Sequence, residues 1–265
     1  MLPRLVLFLL LVLAPPVLAH DSEPAPWQAV GRLDIAGKGF CTGALVADNL
    51  VLTAAHCMFD ATTGQQIEPT TIAFRAGLIN GQARATRQVR RAVVDPDYVY
   101  SASPSASRLR NDVALLELSH PIEAQAATPF STDLRPPRGA MLNIVAYAFD
   151  RAEAPPLQQS CAVITQQEGV LVTSCTVDFG SSGAPIFSMV GGQPRIVSIV
   201  AAKADMAGQH VALGTQLGQP LIQLKAALAA GKGFGTATLP EADQLTLDRQ
   251  TRSQTGAAFF SPPAK

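Results

Sequence analysis

The sequence is short of charge. Of 265 residues only 15% are Asp, Glu, Lys or Arg, and the formal net charge is zero. It contains no basic block that would neutralise phosphates, which argues against a nucleic-acid partner. It has no acidic tail of the kind carried by a chaperone or a metal sponge. No Cys-x-x-Cys spacing occurs, so neither a redox motif nor a zinc knuckle is supported. Past the first segment, no stretch is long and apolar enough to cross a bilayer.

What remains is a largely apolar chain, 48% hydrophobic, with room for one sizeable core or two small ones. Its first segment reads as a secretory signal. Arg4 supplies a positive start, residues 5–13 are apolar, Pro15 and Pro16 break the run, and Ala19 is the small residue a signal peptidase needs. The expectation is a signal peptide over residues 1–19, a mature chain from His20, and a secreted or periplasmic protein with no membrane association after cleavage. An uncleaved anchor is the alternative. Secretion means an oxidising compartment, where disulfides persist. Cys41, Cys57, Cys161 and Cys175 then form two disulfides. Four cysteines allow three connectivities and spacing does not choose between them, although Cys41–Cys57 with Cys161–Cys175 is the simplest.

Most of the chain reads as short strands, at 28–33, 40–46, 50–53, 71–75, 85–94 and 113–118, then at 142–147, 162–165, 170–174, 185–190 and 196–202. Short strands separated by turns indicate an all-β sandwich or barrel rather than a βαβ sheet. Between the two sets lies a segment, about 120–139, rich in Pro, Ser, Thr and Ala, which reads as a connection across the surface. One segment reads as a helix, at about 219–230. Pro220 opens it, Leu221, Leu224, Lys225 and Leu228 follow at helical spacing, and Gly231 closes it. Residues 232–265 read as a poorly ordered tail, with Phe259-Phe260 as a possible anchoring contact.

Three strings carry chemistry. In Val51-Leu52-Thr53-Ala54-Ala55-His56-Cys57 a histidine follows an apolar strand, small alanines leave its ring room, and a cysteine tethers it. In Arg110-Asn111-Asp112-Val113-Ala114-Leu115-Leu116 an aspartate precedes an apolar strand, and a buried carboxylate there would need an imidazole N–H as donor. In Phe179-Gly180-Ser181-Ser182-Gly183-Ala184-Pro185 glycines flank a serine, freeing backbone N–H groups and leaving the hydroxyl uncrowded. Taken singly, each has an ordinary reading as a structural histidine, a turn aspartate or a Ser/Gly loop.

Together they resemble the chymotrypsin/trypsin family of serine proteases. Thr53-Ala54-Ala55-His56-Cys57 and Asn111-Asp112-Val113-Ala114-Leu115 match the family's histidine and aspartate motifs, and Gly180 to Pro185 matches its serine motif at four of six positions. The order His, Asp, Ser is the family's order. Pro26-Trp27-Gln28 and Phe40-Cys41-Thr42-Gly43 also fall where the family has similar strings, so the resemblance spans about residues 26 to 231. It implies two six-stranded antiparallel β-barrels, the first at about 26–119 and the second at about 139–218, with a C-terminal helix. It implies the Cys41–Cys57 disulfide. It implies a monomeric, cofactor-free and metal-free endopeptidase acting on polypeptides, with His56, Asp112 and Ser182 catalytic and the Gly180 and Ser182 N–H groups as oxyanion hole. A catalytically inactive homologue that binds a partner is the rival reading.

The departures are informative. Ser181 stands where animal digestive members carry an aspartate that pairs with a newly cut N-terminus, and no Ile-Val-Gly-Gly string is present. The chain therefore resembles bacterial members, and its serine loop is expected to be ordered by neutral hydrogen bonds, such as those of the Ser181 hydroxyl. Thr176 occupies the position where Arg/Lys-cleaving members have an acidic pocket floor. Asp178 is near but need not face the pocket. The opposite wall falls at residues 200–203, which makes Thr176, Ala201 and Lys203 the candidate substrate contacts. Residues 77–82 carry no acidic cluster like the family's calcium loop.

Overall fold

The computed structural model describes residues 27–35, 39–101, 105–133, 136–153 and 157–235. The expected signal peptide and the Phe259-Phe260 anchor lie outside these. Among the described residues no helix is long and apolar enough to cross a membrane.

Twelve of the thirteen strands among the described residues form two closed six-stranded antiparallel barrels. The first contains β1 (Val30–Ile35), β2 (Gly39–Ala47), β3 (Leu50–Thr53), β4 (Ile72–Ala76), β5 (Ala85–Val94) and β6 (Ala114–Leu118). It closes in the order β1-β2-β3-β6-β5-β4, with β4 pairing back to β1. Alternation explains the strands: in β4 Ile72, Phe74 and Ala76 are buried while Ala73 and Arg75 are half-exposed. Only β6 is buried along its whole length among the strands described end to end, as its dense apolar run predicts, with Glu117 the single charged residue in it. A five-residue helix, α1 (Ala106–Arg110), precedes it.

The second barrel contains β8 (Met141–Ala146), β9 (Leu157–Gln167), β10 (Val170–Thr173), β11 (Pro185–Val190), β12 (Gln193–Met206) and β13 (Gln209–Gln216). Pairing of β11 with both β8 and β12 closes it. The connecting segment adds a two-residue strand, β7 (Ser131–Thr132), parallel to β12. Three of its hairpins turn on residue pairs at positive φ: Glu168-Gly169, Gly191-Gly192 and Ala207-Gly208. Two left-handed residues match the twist of a two-residue hairpin.

Strand β13 and helix α1 escaped the sequence reading. Gly208 and Gly214 interrupt the apolar pattern of the one, and the other is too short to display a helical period. The connection between the barrels does run across the molecule, but it also brings Phe130 against Trp27 and Phe187, with ring centroids 6.3 Å and 4.7 Å away, beside a direct Trp27–Phe187 contact of 4.9 Å. Helix α2 (Gly218–Ala229) follows the second barrel in sequence yet packs on β5 and β6 of the first, burying Leu221, Leu224 and Leu228. Each such leucine contributes about 2 kcal/mol by removal from water. Residues 232–235, read from sequence as tail, stay against the first barrel: Phe234 and Ala92 exchange two backbone hydrogen bonds of 3.0 Å.

Candidate active site

The first barrel supplies a histidine and an aspartate. After β3 the chain enters a single 3₁₀ turn, Ala55–Met58. Cys57 in that turn is disulfide-bonded to Cys41 on β2, so His56 is tied to the barrel wall through its own neighbour. Asp112 arrives from the other side. Ser105 caps α1 by accepting from the Arg108 N–H at 3.1 Å. The helix ends in the Asn111-Asp112 turn, where the Val113 N–H donates to the Asn111 carbonyl at 2.8 Å. Asp112 is 1% exposed. One residue engages both of its oxygens: the His56 backbone N–H donates to Oδ1 at 2.8 Å, and ring Nδ1 lies 2.7 Å from Oδ2. A buried carboxylate requires donors, so the hydrogen is assigned to Nδ1 and the lone pair of the neutral ring to Nε2. Tyr98 is buried close by. Its phenol is pushed up from its ordinary value, first by burial and then by the Asp112 charge, so it stays neutral.

The second barrel also grips the aspartate's turn. Thr215 on β13 donates its hydroxyl to the Leu109 carbonyl at 2.7 Å, 3.3 Å from that of Asp112. Ser198 on β12 in turn donates to the Thr215 carbonyl at 2.7 Å.

Ser182 lies half-buried in the loop between β10 and β11. Gly180 and Gly183 adopt φ of 91° and 76°, a region that penalises any side chain. The space is closed as well. A Cβ on Gly183 would lie 2.1 Å from Thr53 Oγ1 and 2.8 Å from the Ala54 nitrogen. The serine loop is therefore pressed against the strand end that leads to His56. A Cβ on Gly180 would lie 2.3 Å from a ring carbon of Phe40. Thr42 fixes the loop further: its N–H donates to the Ser182 carbonyl at 2.9 Å and its hydroxyl to the Gly180 carbonyl at 2.8 Å. Thr42 on the first barrel thus supplies the loop with neutral hydrogen bonds. Ser181 itself is buried.

Within the loop, Ser181, Gly183 and Ala184 donate their N–H groups to the carbonyls of Asp178, Val200 and Ser181. Among the described residues, no backbone carbonyl accepts from Gly180 or Ser182. Two uncommitted amides beside a serine are the donor pair that a developing oxyanion requires.

The candidate substrate contacts are spread out. Thr176 is exposed after Cys175, Ala201 is buried in β12, and Lys203 is exposed further along that strand. The second disulfide joins Cys175 to Cys161 on β9. Asp178 is drawn to Lys203, whose Nζ donates to it at 2.8 Å while lying 4.2 Å from the Phe179 ring. Hydrogen bonds from Lys203 and from the Phe179 N–H hold the Asp178 carboxyl below its ordinary value. Among the described residues, the only potential metal-ligand grouping is Cys41, His56 and Cys57, and its two sulfurs form a disulfide, leaving no thiolate to bind a metal. Sequence reasoning missed Thr42 and Thr215, because a threonine within a strand carries no signal of its own.

The family model for trypsin matches residues 19–212. The chain is 36% identical to mast cell protease 3 of Ovis aries over 132 residues, 45% of this chain and 47% of that protein. It is 32% identical to coagulation factor IX of Cavia porcellus over 105 residues, covering 39% and 33% of the two chains. It is 31% identical to a trypsin of Phaedon cochleariae over 107 residues, covering 39% and 37%. The chain thus spans less than half the length of each of these relatives. In fold it is similar to a Glu endopeptidase solved in complex with MPD, with a TM-score of 0.65, 17% identity, and 78% and 92% of the two chains covered. It is similar also to the thermostable serine protease AL20 from an extremophilic microorganism, with a TM-score of 0.64, 18% identity, and 79% and 100% covered. Two barrels of this order, a histidine–aspartate pair from one and a glycine-flanked serine from the other, agree with the family match over most of the chain: this protein belongs to the trypsin family of serine proteases.

Proposed function

We propose that the protein is a secreted or periplasmic serine endopeptidase whose nucleophile is Ser182. His56 takes the Ser182 proton as the hydroxyl attacks the scissile carbonyl, and returns it to the leaving amine. Asp112 orients the imidazole and stabilises its cationic form. The Gly180 and Ser182 N–H groups hold the oxyanion of the tetrahedral intermediate, which collapses to an acyl-enzyme that water then hydrolyses. The observation that carries this reading is the double hydrogen bond from His56 to the buried Asp112, which leaves Nε2 as the ring's basic atom.

The substrate is a polypeptide, and the enzyme acts as a monomer without cofactor or metal. Residues 1–19 serve as signal peptide and 20–231 as the protease domain. Because Ser181 cannot form an ion pair with a new N-terminus, no second cleavage is needed for activity. The Lys203–Asp178 pair leaves no free acidic group on that wall, which disfavours strict cleavage after Arg or Lys. The test is to express residues 20–265, measure intact mass, and assay at once with a peptide library and a fluorophosphonate probe. Immediate cleavage with labelling of Ser182 is expected. An intact chain that neither labels nor cleaves supports the inactive homologue. One that gains activity only after trimming near Trp27 overturns the activation claim alone.

A further inference from the structure

Arg32 on β1 is a cation in the wrong place for an ordinary barrel strand. Its side chain is 4% exposed. Burial opposes its charge, and the carboxylates of Asp34 and Glu153 counter that opposition. The guanidinium bonds to Asp34 through Nε and Nη2. Its Nη1 donates to Glu153 Oε1 at 2.8 Å and to the Ala152 carbonyl at 2.9 Å. Asp34 is shared with Arg75, which in turn donates to the Gly81 carbonyl at 2.8 Å. Asp34 and Arg75 belong to the first barrel, whereas Ala152 and Glu153 belong to the segment that follows β8 in the second.

Two routes lead from this guanidinium to the serine loop. One is a stack: Arg32 lies over the Phe40 ring, 5.4 Å from its centroid, and the edge of that ring is the surface on which Gly180 rests. The other runs along the backbone. The segment that Arg32 holds by Ala152 and Glu153 begins at Phe149, whose N–H donates to the Phe179 carbonyl at 2.9 Å. The routes converge on Phe179 and Gly180, the two residues whose shared peptide carries the Gly180 N–H.

The structure assigns Arg32 a positioning role for the reaction: through Phe40 and through the 149–153 segment it fixes the Gly180 amide in the orientation that receives the oxyanion. This rests on the endopeptidase reading above. A buried ion pair is weak evidence for stability but a good device for selecting one of several similar arrangements. A peptide flanked by a glycine is the kind of unit that needs such selection. The internal cation on β1 thereby supplies the order that Ser181, being neutral, cannot draw from an N-terminal amine.

The experiment uses the full mature chain with a fluorogenic peptide chosen from the library assay. Wild-type activity and fluorophosphonate labelling come first, so that failure of the endopeptidase reading appears there and nowhere else. Arg32→Met keeps length and removes the charge. It is expected to lower kcat by about 10²-fold, the loss typical of one oxyanion donor, with KM unchanged. Arg32→Lys, which restores a cation, should recover part of that loss. Glu153→Gln, at a side chain 46% exposed and so of small risk to folding, should lower kcat in the same direction by less. A peptide aldehyde of the same sequence should weaken in parallel with kcat, while the product peptide binds as before. Unchanged kcat in folded Arg32→Met, or parallel weakening of aldehyde and product peptide, overturns the assignment. Should Arg32→Met not fold, Glu153→Gln decides by the same two readouts.

Discussion

In the first barrel the strands close on themselves with purely antiparallel neighbours, and the functional pair is fixed chiefly from inside, with Thr215 of the second barrel adding a hydrogen bond to the turn that carries Asp112. A disulfide holds the histidine turn, α1 delivers the aspartate, and each grips the other through two hydrogen bonds. In the second barrel a parallel strand is added at β12 and the separate core cluster is smaller, while register shifts interrupt pairings in both barrels. Its serine loop, bonded to β12 through Gly183 and Val200, is held from outside as well, by Thr42, Phe40 and Thr53 of the other barrel. The histidine is a possession of its barrel, while the serine belongs to the interface. The proposed site is therefore as precise as the docking of the two barrels, and substitutions on β2 and β1 should be felt at Ser182.

The severest break in this comparison is Ser182→Ala. It should lower kcat by about 10⁶-fold while leaving the fold intact, whereas Ser181→Ala keeps turnover. Steady-state kinetics beside near-ultraviolet circular dichroism checks this, and comparable loss in both variants would mean that the wrong serine has been named. On the other side of the cleft, Asp112→Asn should cost about 10⁴-fold in kcat, because an amide stabilises the wrong imidazole tautomer. A loss no larger than that of a surface substitution would detach Asp112 from the chemistry.

The two disulfides sharpen the contrast because they close loops of similar size, with separations of 16 and 14. Replacing either pair by alanines should cost about 3 kcal/mol of stability in denaturant titrations. Activity should separate them. Loss of Cys41–Cys57 frees the His56 turn and lowers kcat below that of the Cys161–Cys175 variant when both are assayed where they are folded.

Smaller again is Thr215→Val, which deletes the hydroxyl bond from the second barrel to the turn bearing Asp112. It should cost about 1 kcal/mol and lower kcat modestly. Equal stability and activity would show that the first barrel holds Asp112 alone. The smallest effect concerns Glu117 on β6. Burial would raise its carboxyl, but hydrogen bonds from Arg90 and Arg91 hold it below its ordinary value. A carboxyl lowered in the folded state contributes stability above its unfolded value, and that contribution is lost as pH falls through the folded one. Glu117→Gln should therefore lower the melting temperature at neutral pH and converge with wild type in acid. A constant difference across pH would rule out the ion pairs as its source.

Much of this was legible in the sequence, for identifiable reasons. The bounds of β5 and β11 were read as observed, because their apolar patterns are bounded by turn residues. The strings around His56, Asp112 and Ser182 stood out because a loop needing glycine at positive φ, a tethered turn and an aspartate leading into a buried strand each demand particular neighbours within a few positions. What could not be read depends on partners far along the chain. Thr42 is 138 residues from Gly180, Arg32 is 121 from Glu153, and Thr215 is 106 from Leu109. No local pattern marks such pairs, and a threonine on a strand looks the same whether it spans two barrels or faces solvent. Strand β13 was missed for a related reason: Gly214 keeps its backbone close to Ser198, where a Cβ would come within 2.4 Å of the hydroxyl, and so removes the side chain that would have continued the alternation.

Helix α2 leaves the second barrel and docks on the first, and Phe234 then joins β5. On a ribosome this segment emerges after both barrels have been made. The first barrel can close early, because its strands are consecutive in the chain, but the surface of β5 and β6 that receives Leu221, Leu224 and Leu228 stays open until then. The last described part of the chain thus covers a surface that a shorter chain leaves bare. A polypeptide cut short at Gln216 should possess every residue of the proposed site and yet hold its two halves together poorly, so that labelling of the proposed serine is weaker than in a chain that includes the helix. Comparing fluorophosphonate labelling of chains ending at 216 and at 235 would reveal it, since equal labelling would deny the helix any part in assembling the cleft.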